Sequence, residues 1–175
     1  MIQVKDKHFK PYISRERLDL EIKRVSSELM SEYGDKSPFF LGVLNGSFMF
    51  ISDLMKEFSA PCELGFVKAA SYEGMGTTGV VKFHEAGKLD LQGKDVIIIE
   101  DIVDTGNTLK ALNSFLDRYN PKSVAVCSLL FKSEAYKHSQ AIDYVCFKVE
   151  NKFLLGYGLD YDGYGRNIPE VYILN

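Results

Sequence analysis

One run of nine residues carries more chemistry than any other in this chain: Glu100-Asp101-Ile102-Val103-Asp104-Thr105-Gly106-Asn107-Thr108. The β-favouring residues Val96-Ile97-Ile98-Ile99 precede it and deliver two adjacent carboxylates at a strand end. A third carboxylate follows, and then Thr-Gly-Asn-Thr opens a helix. The first N–H groups of a helix lack intrahelical partners and carry a partial positive charge, which suits a phosphate. Thr105 and Thr108 add hydroxyl donors, and Gly106 lets the backbone approach an anion closely. Glu100 and Asp101 have the oxygens to hold ribose hydroxyls or a hydrated Mg²⁺. A plainer role exists, since Asp104 or Thr105 can serve as a helix N-cap alone. Three carboxylates within five residues exceed a cap's need, because their mutual repulsion calls for something cationic.

These groups need a scaffold, and the flanking pattern supplies one. Ser14 precedes Leu18, Ile22, Val25 and Leu29 on one helical face, closed by Gly34. Residues 39–44 read as a buried strand broken by Asn45-Gly46, and a second helix follows with Phe48, Ile51, Leu54, Met55 and Phe58 on one face. Residues 62–72, 80–84, 96–99, 124–131, 144–149 and 153–157 read as further strands. A helix over residues 107–119 turns Leu109, Leu112, Leu116 and Tyr119 inward, with Pro121 beyond its end. Strands alternating with helices, some strands apolar on both faces, indicate an α/β chain with a central, mostly parallel sheet flanked by helices. No linker or repeat interrupts the pattern, so a single domain over residues 1–175 is expected.

Composition removes several function classes. The chain has 175 residues, 46% hydrophobic and 26% charged, as in an ordinary globular domain. Its 21 basic and 24 acidic residues are scattered, without the basic stripe of a nucleic-acid binder. No apolar run is long enough to span a bilayer, and residues 1–10 lack a signal peptide's apolar centre, so no membrane and a cytoplasmic location are expected. Cys62, Cys127 and Cys146 sit in apolar segments without C-x-x-C spacing and are expected as buried free thiols. His8, His84 and His138 show no metal-ligand spacing and read as surface or strand-end residues.

The run from Glu100 to Thr108 resembles the phosphoribosyl pyrophosphate signature of the type I phosphoribosyltransferases, in the form of their hypoxanthine-guanine branch. The resemblance extends over residues 41–166. It implies a small hood built from the N- and C-terminal segments. It also implies phosphoribosyl transfer to hypoxanthine or guanine in purine salvage, with release of pyrophosphate, dependence on Mg²⁺, and a homodimer or homotetramer. Small molecules, and no nucleic acid, are then the partners.

By the same resemblance, Asn45, Gly46 and Ser47 match the pyrophosphate loop, although the family usually has a basic residue where this chain has Asn45. Asn-Gly alone is an ordinary turn. Ser71-Tyr72 and the following Gly-rich loop match the family's lid. The literal G-x-G-x-x-G from Gly74 to Gly79 runs into a strand, whereas a dinucleotide fingerprint opens a helix. Lys132, otherwise an ordinary solvated lysine, takes the place of the donor to O6 of the purine. Phe153, otherwise a core residue, takes the place of the base-stacking ring, with the Leu154 backbone at the ring edge. Asp160 matches the residue that holds a second Mg²⁺, completing a metal set with Glu100 and Asp101, and Arg166 the one that contacts pyrophosphate. Asp104 takes the place of the general base for N7 of the purine, and Asp104, Thr105, Gly106, Asn107 and Thr108 form the 5′-phosphate loop.

Three rivals have distinguishing features. A regulator sensing the same sugar pyrophosphate would need a DNA-binding segment or a basic RNA face. A haloacid dehalogenase phosphatase wants Asp-x-Asp, and here the spacing is Asp101-x-x-Asp104. Adenine and orotate phosphoribosyltransferases usually lack an acid at the position of Asp104.

Overall fold

The computed structural model describes residues 1–71 and 81–175, with only the backbone at positions 70, 71 and 81. In chain order the elements are β1 (Ile2–Val4), β2 (Lys7–Ile13), α1 (Arg15–Tyr33), β3 (Phe39–Leu44), α2 (Phe48–Glu57), β4 (Glu63–Ser71) and β5 (Val81–Glu85). They continue with β6 (Asp95–Val103), α3 (Asn107–Leu116), a short 3₁₀ turn (Asp117–Tyr119), β7 (Ser123–Phe131), β8 (Tyr144–Lys148), β9 (Leu154–Leu155) and β10 (Val171–Leu174).

Strands β5-β4-β3-β6-β7-β8 form one sheet in that order, parallel throughout except for β5, which runs antiparallel to β4. Alternate residues of the central strands enter different layers. Phe40, Ile97 and Ile99 pack with α1 and α2, while Leu41, Val43, Val96 and Ile98 pack with Leu109, Leu112 and Leu116 of α3. Each such fully buried aliphatic or aromatic side chain contributes about 1.5–3 kcal/mol. A second, antiparallel sheet, β1-β2-β10-β9, joins the N-terminal hairpin to the C-terminal strands and forms the hood.

Several boundaries differ from the sequence pattern. Strand β6 runs on to Val103, because Ile102 and Val103 keep pairing with Leu130 and Phe131 of β7. The acidic pair therefore sits inside the strand and not beyond it. In α2 the buried face is Phe50, Ile51 and Leu54, whereas Phe48 is exposed. The expected strand over residues 153–157 shrinks to Leu154–Leu155, because glycines and positive φ angles at 156–158 bend the chain away. Cys62 is exposed, since it precedes the first residue of β4; Cys127 and Cys146 are buried, and all three thiols are free. Among the described residues, no helix is long and apolar enough to cross a membrane. Tyr72 and the Gly74–Gly79 motif lie outside the described residues.

Candidate active site

Strands β3 and β6 are neighbours at the sheet centre, and the chain leaves them in opposite directions: through α2 to β4, and through α3 to β7. The carboxyl ends of such a pair open a crevice where ligands bind in open α/β sheets. A cleft of about 370 Å³ lies there. The end of β3 gives it Asn45 and Gly46, β6 gives Glu100 and Asp101, and the following turn gives Asp104, Thr105, Gly106 and Thr108. Asp160 and Arg166 reach it from the hood segment.

The turn into α3 is shaped for a close backbone approach. Gly106 is its N-cap at φ 84°, a left-handed conformation that favours glycine, and a Cβ there would run into the Tyr136 ring. The loop after β7 braces the turn from outside. The Lys137 N–H donates to the Thr105 carbonyl at 3.2 Å, and His138 Nε2 lies 3.0 Å from Asn107 Oδ1. The Asn107 amide is thus engaged outside the cleft, while Thr105 and Thr108 line it. Ser47 also stays out of the lining: it is fully buried, and its hydroxyl donates to the Val43 carbonyl at 2.6 Å. Ser71 ends β4.

The floor of the cleft is acidic. Glu100 is 5% exposed, and burial followed by the neighbouring Asp101 charge raises its carboxyl well above the usual range. Asp101 is pushed up to about 6 by burial, although its Oδ1 accepts the Ile102 N–H at 2.8 Å. Gly46 packs directly on this group, and a Cβ at that position would overlap the Asp101 carboxylate. Among the described residues, neither Glu100 nor Asp101 forms an ion pair. Two desolvated carboxylates without an ion-pair partner among the described residues fit a hard divalent cation, which would favour their charged form. No three acidic, His or Cys side chains among the described residues converge into a ready-made cage. Mg²⁺ keeps several waters and takes one or two carboxylates together with substrate phosphates, a donor set that Glu100 and Asp101 could supply.

A second cleft of about 310 Å³ adjoins the first and shares Asp101, Ile102, Asp104 and Asp160 with it. Its other walls are Lys132, Phe153, Leu154 and Leu159. Lys132 is only 8% exposed, and its Nζ donates to Asp104 Oδ2 at 2.7 Å. Phe153 is 43% exposed, an unusual state for a ring that elsewhere packs edge-on with Tyr161 at 5.7 Å and tilted with Phe9 at 6.2 Å. A flat apolar face open beside a buried cation suits a heteroaromatic ring with a carbonyl oxygen. Asp160 is oriented by protein donors, with Arg166 Nη2 on Oδ1 at 2.7 Å and the Gly163 N–H on Oδ2 at 2.7 Å, and each oxygen keeps a further lone pair.

Sequence reasoning missed Leu159 in the second cleft, Ala69, Val103 and Leu109 in the first, and the bracing residues Tyr136 and His138. All are apolar or loop positions whose relevance comes from long-range packing; only the demand of Gly106 for empty space hints at a neighbour such as Tyr136.

Two adjoining clefts at a sheet switch point, one acidic and edged by a helix start, the other flat and apolar with a buried lysine, can seat a phosphate-bearing group and a planar ring side by side. Residues 14–162 match the model of the phosphoribosyl transferase domain. The chain is 36% identical to a hypoxanthine-guanine phosphoribosyltransferase of Aquifex aeolicus, covering 99% of both chains, and 39% identical to that of Streptococcus mutans, covering 92% of this chain and 90% of the relative. A crystal structure of a hypoxanthine-guanine phosphoribosyltransferase from Bacillus anthracis superposes with a TM-score of 0.88 at 30% identity, over 97% and 98% of the two chains. The chain belongs to the phosphoribosyl transferase family.

Proposed function

We propose that this chain transfers the phosphoribosyl group of 5-phosphoribosyl 1-pyrophosphate to hypoxanthine or guanine, giving the nucleoside monophosphate and pyrophosphate. The observation that carries this reading is the meeting of the two clefts at Asp101, Asp104 and Asp160, with phosphate-binding features on one side and base-binding features on the other.

In the reaction the bond from the ribose C1 to the pyrophosphate oxygen breaks, and one from C1 to a ring nitrogen of the purine forms. The sugar becomes cation-like as negative charge grows on the leaving group, so preorganised anion stabilisation matters most. The turn from Asp104 to Thr108 would grip the 5′-phosphate and hold C1 in line with the base. Arg166 and the backbone around Gly46 would receive the pyrophosphate, with Asn45 beside them in place of a cation. Ser47 contributes by fixing the loop, through its bond to Val43. Glu100 and Asp101 would orient the ribose hydroxyls, and with Asp160 they would hold Mg²⁺. When bound, the ion supplies charge neutralisation at the pyrophosphate oxygens. Phe153 would stack on the base, Lys132 would donate to O6, and the Leu154 backbone would meet the ring edge. Asp104, half exposed and facing both clefts, would take the proton from N7. Ser71 and Tyr72 fall at the start of the matching lid segment, and closure there would exclude water.

A single domain over residues 1–175, a cytoplasmic location and a homodimer or homotetramer complete the proposal, on the strength of the family resemblance. The test is pyrophosphate release measured across hypoxanthine, guanine, xanthine, adenine and orotate, with and without Mg²⁺. Mg²⁺-dependent release with hypoxanthine or guanine and little with adenine or orotate is expected; release with adenine alone would overturn the base assignment.

A further inference from the structure

The segment Gly156-Tyr157-Gly158 bends the chain between the base-stacking Phe153 and the cleft residue Asp160. All three residues have positive φ, 95°, 48° and 99°. The flanking glycines adopt this conformation freely, but a tyrosine does so only when its surroundings fix it. Here they do. The Tyr157 ring is fully buried, its N–H donates to the Ile168 carbonyl at 2.7 Å, and its hydroxyl donates to Asp53 Oδ2 at 2.6 Å.

Asp53 is a rigid end-point on α2. It pairs with Arg15 at 2.8 Å and with Lys56 at 2.8 Å, and Arg15 is in turn held by Asp19 at 2.8 Å. Burial pushes the Asp53 carboxyl up, yet the bonds from Lys56 and Tyr157 and the Arg15 charge outweigh it and hold the group below its ordinary range. The α2 helix that carries Asp53 begins at Phe48, directly after the Gly46–Ser47 turn.

The other side of the bend meets the same turn. Gly158 packs so closely on Gly46 that a Cβ would overlap the Gly46 carbonyl. The Gly158 carbonyl accepts Arg166 Nη1 at 2.7 Å, and the Gly158 N–H donates to the Arg166 carbonyl at 2.9 Å. Arg166 completes the loop by binding Asp160 at 2.7 Å.

We propose that the Tyr157–Asp53 hydrogen bond is a positioning strut for the pyrophosphate half of the site, holding Gly158 against Gly46 so that Arg166 faces the pyrophosphate. Tyr157 lines neither cleft. Its influence falls on the pyrophosphate groups and spares the base, because Lys132 and Phe153 are placed by β7 and by the hood rings. The inference rests on the phosphoribosyl-transfer reading and deepens it.

The experiment measures calorimetric binding of inorganic pyrophosphate with Mg²⁺, the KM values of both substrates, and thermal melting. It compares wild type, Tyr157→Phe, Asp53→Ala, the double variant, and Tyr144→Phe. Tyr144 is a suitable control because its buried phenol also bonds a carboxylate, Glu32 on α1, away from both clefts. Tyr157→Phe is expected to weaken pyrophosphate about tenfold, the loss of one charge-assisted hydrogen bond. It should raise KM for the sugar pyrophosphate likewise and leave KM for hypoxanthine within about twofold. Asp53→Ala, which also frees Arg15 and Lys56, should weaken pyrophosphate at least as much, and the double variant should be no worse than Asp53→Ala alone, since the bond from Tyr157 is already lost there. Tyr144→Phe should lower the melting temperature alone. The strut is overturned if Tyr157→Phe behaves like Tyr144→Phe, or if the two single effects multiply in the double variant. Wild type that binds pyrophosphate but transfers no phosphoribosyl group would sink the functional reading and leave the strut to stand or fall on the calorimetry. Wild type that binds no pyrophosphate would overturn both.

Discussion

Replacing Asp104 by asparagine keeps the side chain's shape and one acceptor oxygen but removes its charge and its basicity. In the structure that carboxylate is 45% exposed and receives Nζ of Lys132, whose side chain is 10% exposed. Asparagine Oδ1 still accepts from Lys132, and solvent screens the exposed half of the pair, so the stability cost is about 1 kcal/mol. For a chain of 175 residues that corresponds to a melting-point drop of about 2–4 °C. The kinetic cost is far larger. A positioned general base contributes roughly 10²–10⁴ in rate, or about 2.7–5.4 kcal/mol of barrier. The expected phenotype is a fall in kcat within that range, with KM for phosphoribosyl pyrophosphate within about threefold of wild type. Initial rates of pyrophosphate release and differential scanning calorimetry read both quantities. An Asp104→Asn variant with full kcat refutes the base assignment. One that melts more than about 10 °C lower refutes the estimate of the ion pair, because a small local loss cannot move the transition that far.

Three other substitutions probe separate walls. Lys132→Met should weaken hypoxanthine about 10–100-fold, the value of a lost charged hydrogen bond, and spare the sugar substrate; equal losses for both substrates would contradict an O6 contact. Phe153→Ala should raise KM for the base by about 5–150-fold, as removal of a stacking ring does, with little loss of stability because the ring is already 43% exposed. An unchanged base KM would remove Phe153 from the site. Gly46→Ala places a Cβ on the Asp101 carboxylate, and a displacement of about 1 Å there should lower kcat/KM by roughly 10²-fold; normal kinetics would show that the turn and the carboxylate do not act together.

How much of this was legible before the structure depends on how local each signal is. The apolar run Phe39–Leu44 is bounded by Pro38 and Asn45-Gly46, and its strand matches to the residue. Ser14 caps α1 as its type suggests, its hydroxyl receiving the Arg17 N–H at 3.5 Å. The acidic run was legible because three carboxylates and a helix opening crowd into one stretch of chain. Its strand end was not, since carboxylates at 100 and 101 look like a break while pairing to β7 continues beneath them. Phe48 was misplaced because helical spacing alone cannot tell which of Phe48 and Phe50 points inward near a helix start. The hood emerged from resemblance only: β1 and β2 mix exposed and buried residues, and their partner β10 lies at the far end of the chain. Tyr157 was invisible for the same reason, since its partner Asp53 is 104 residues away.

The measurement that bears most directly on the central claim is a crystal structure of the chain with phosphoribosyl pyrophosphate and Mg²⁺. The 5′-phosphate is expected on the turn from Asp104 to Thr108, the pyrophosphate between Gly46 and Arg166, and the ion beside Glu100, Asp101 or Asp160. A sugar pyrophosphate bound elsewhere, or bound here with its phosphates remote from that turn, would contradict the assignment of the cleft.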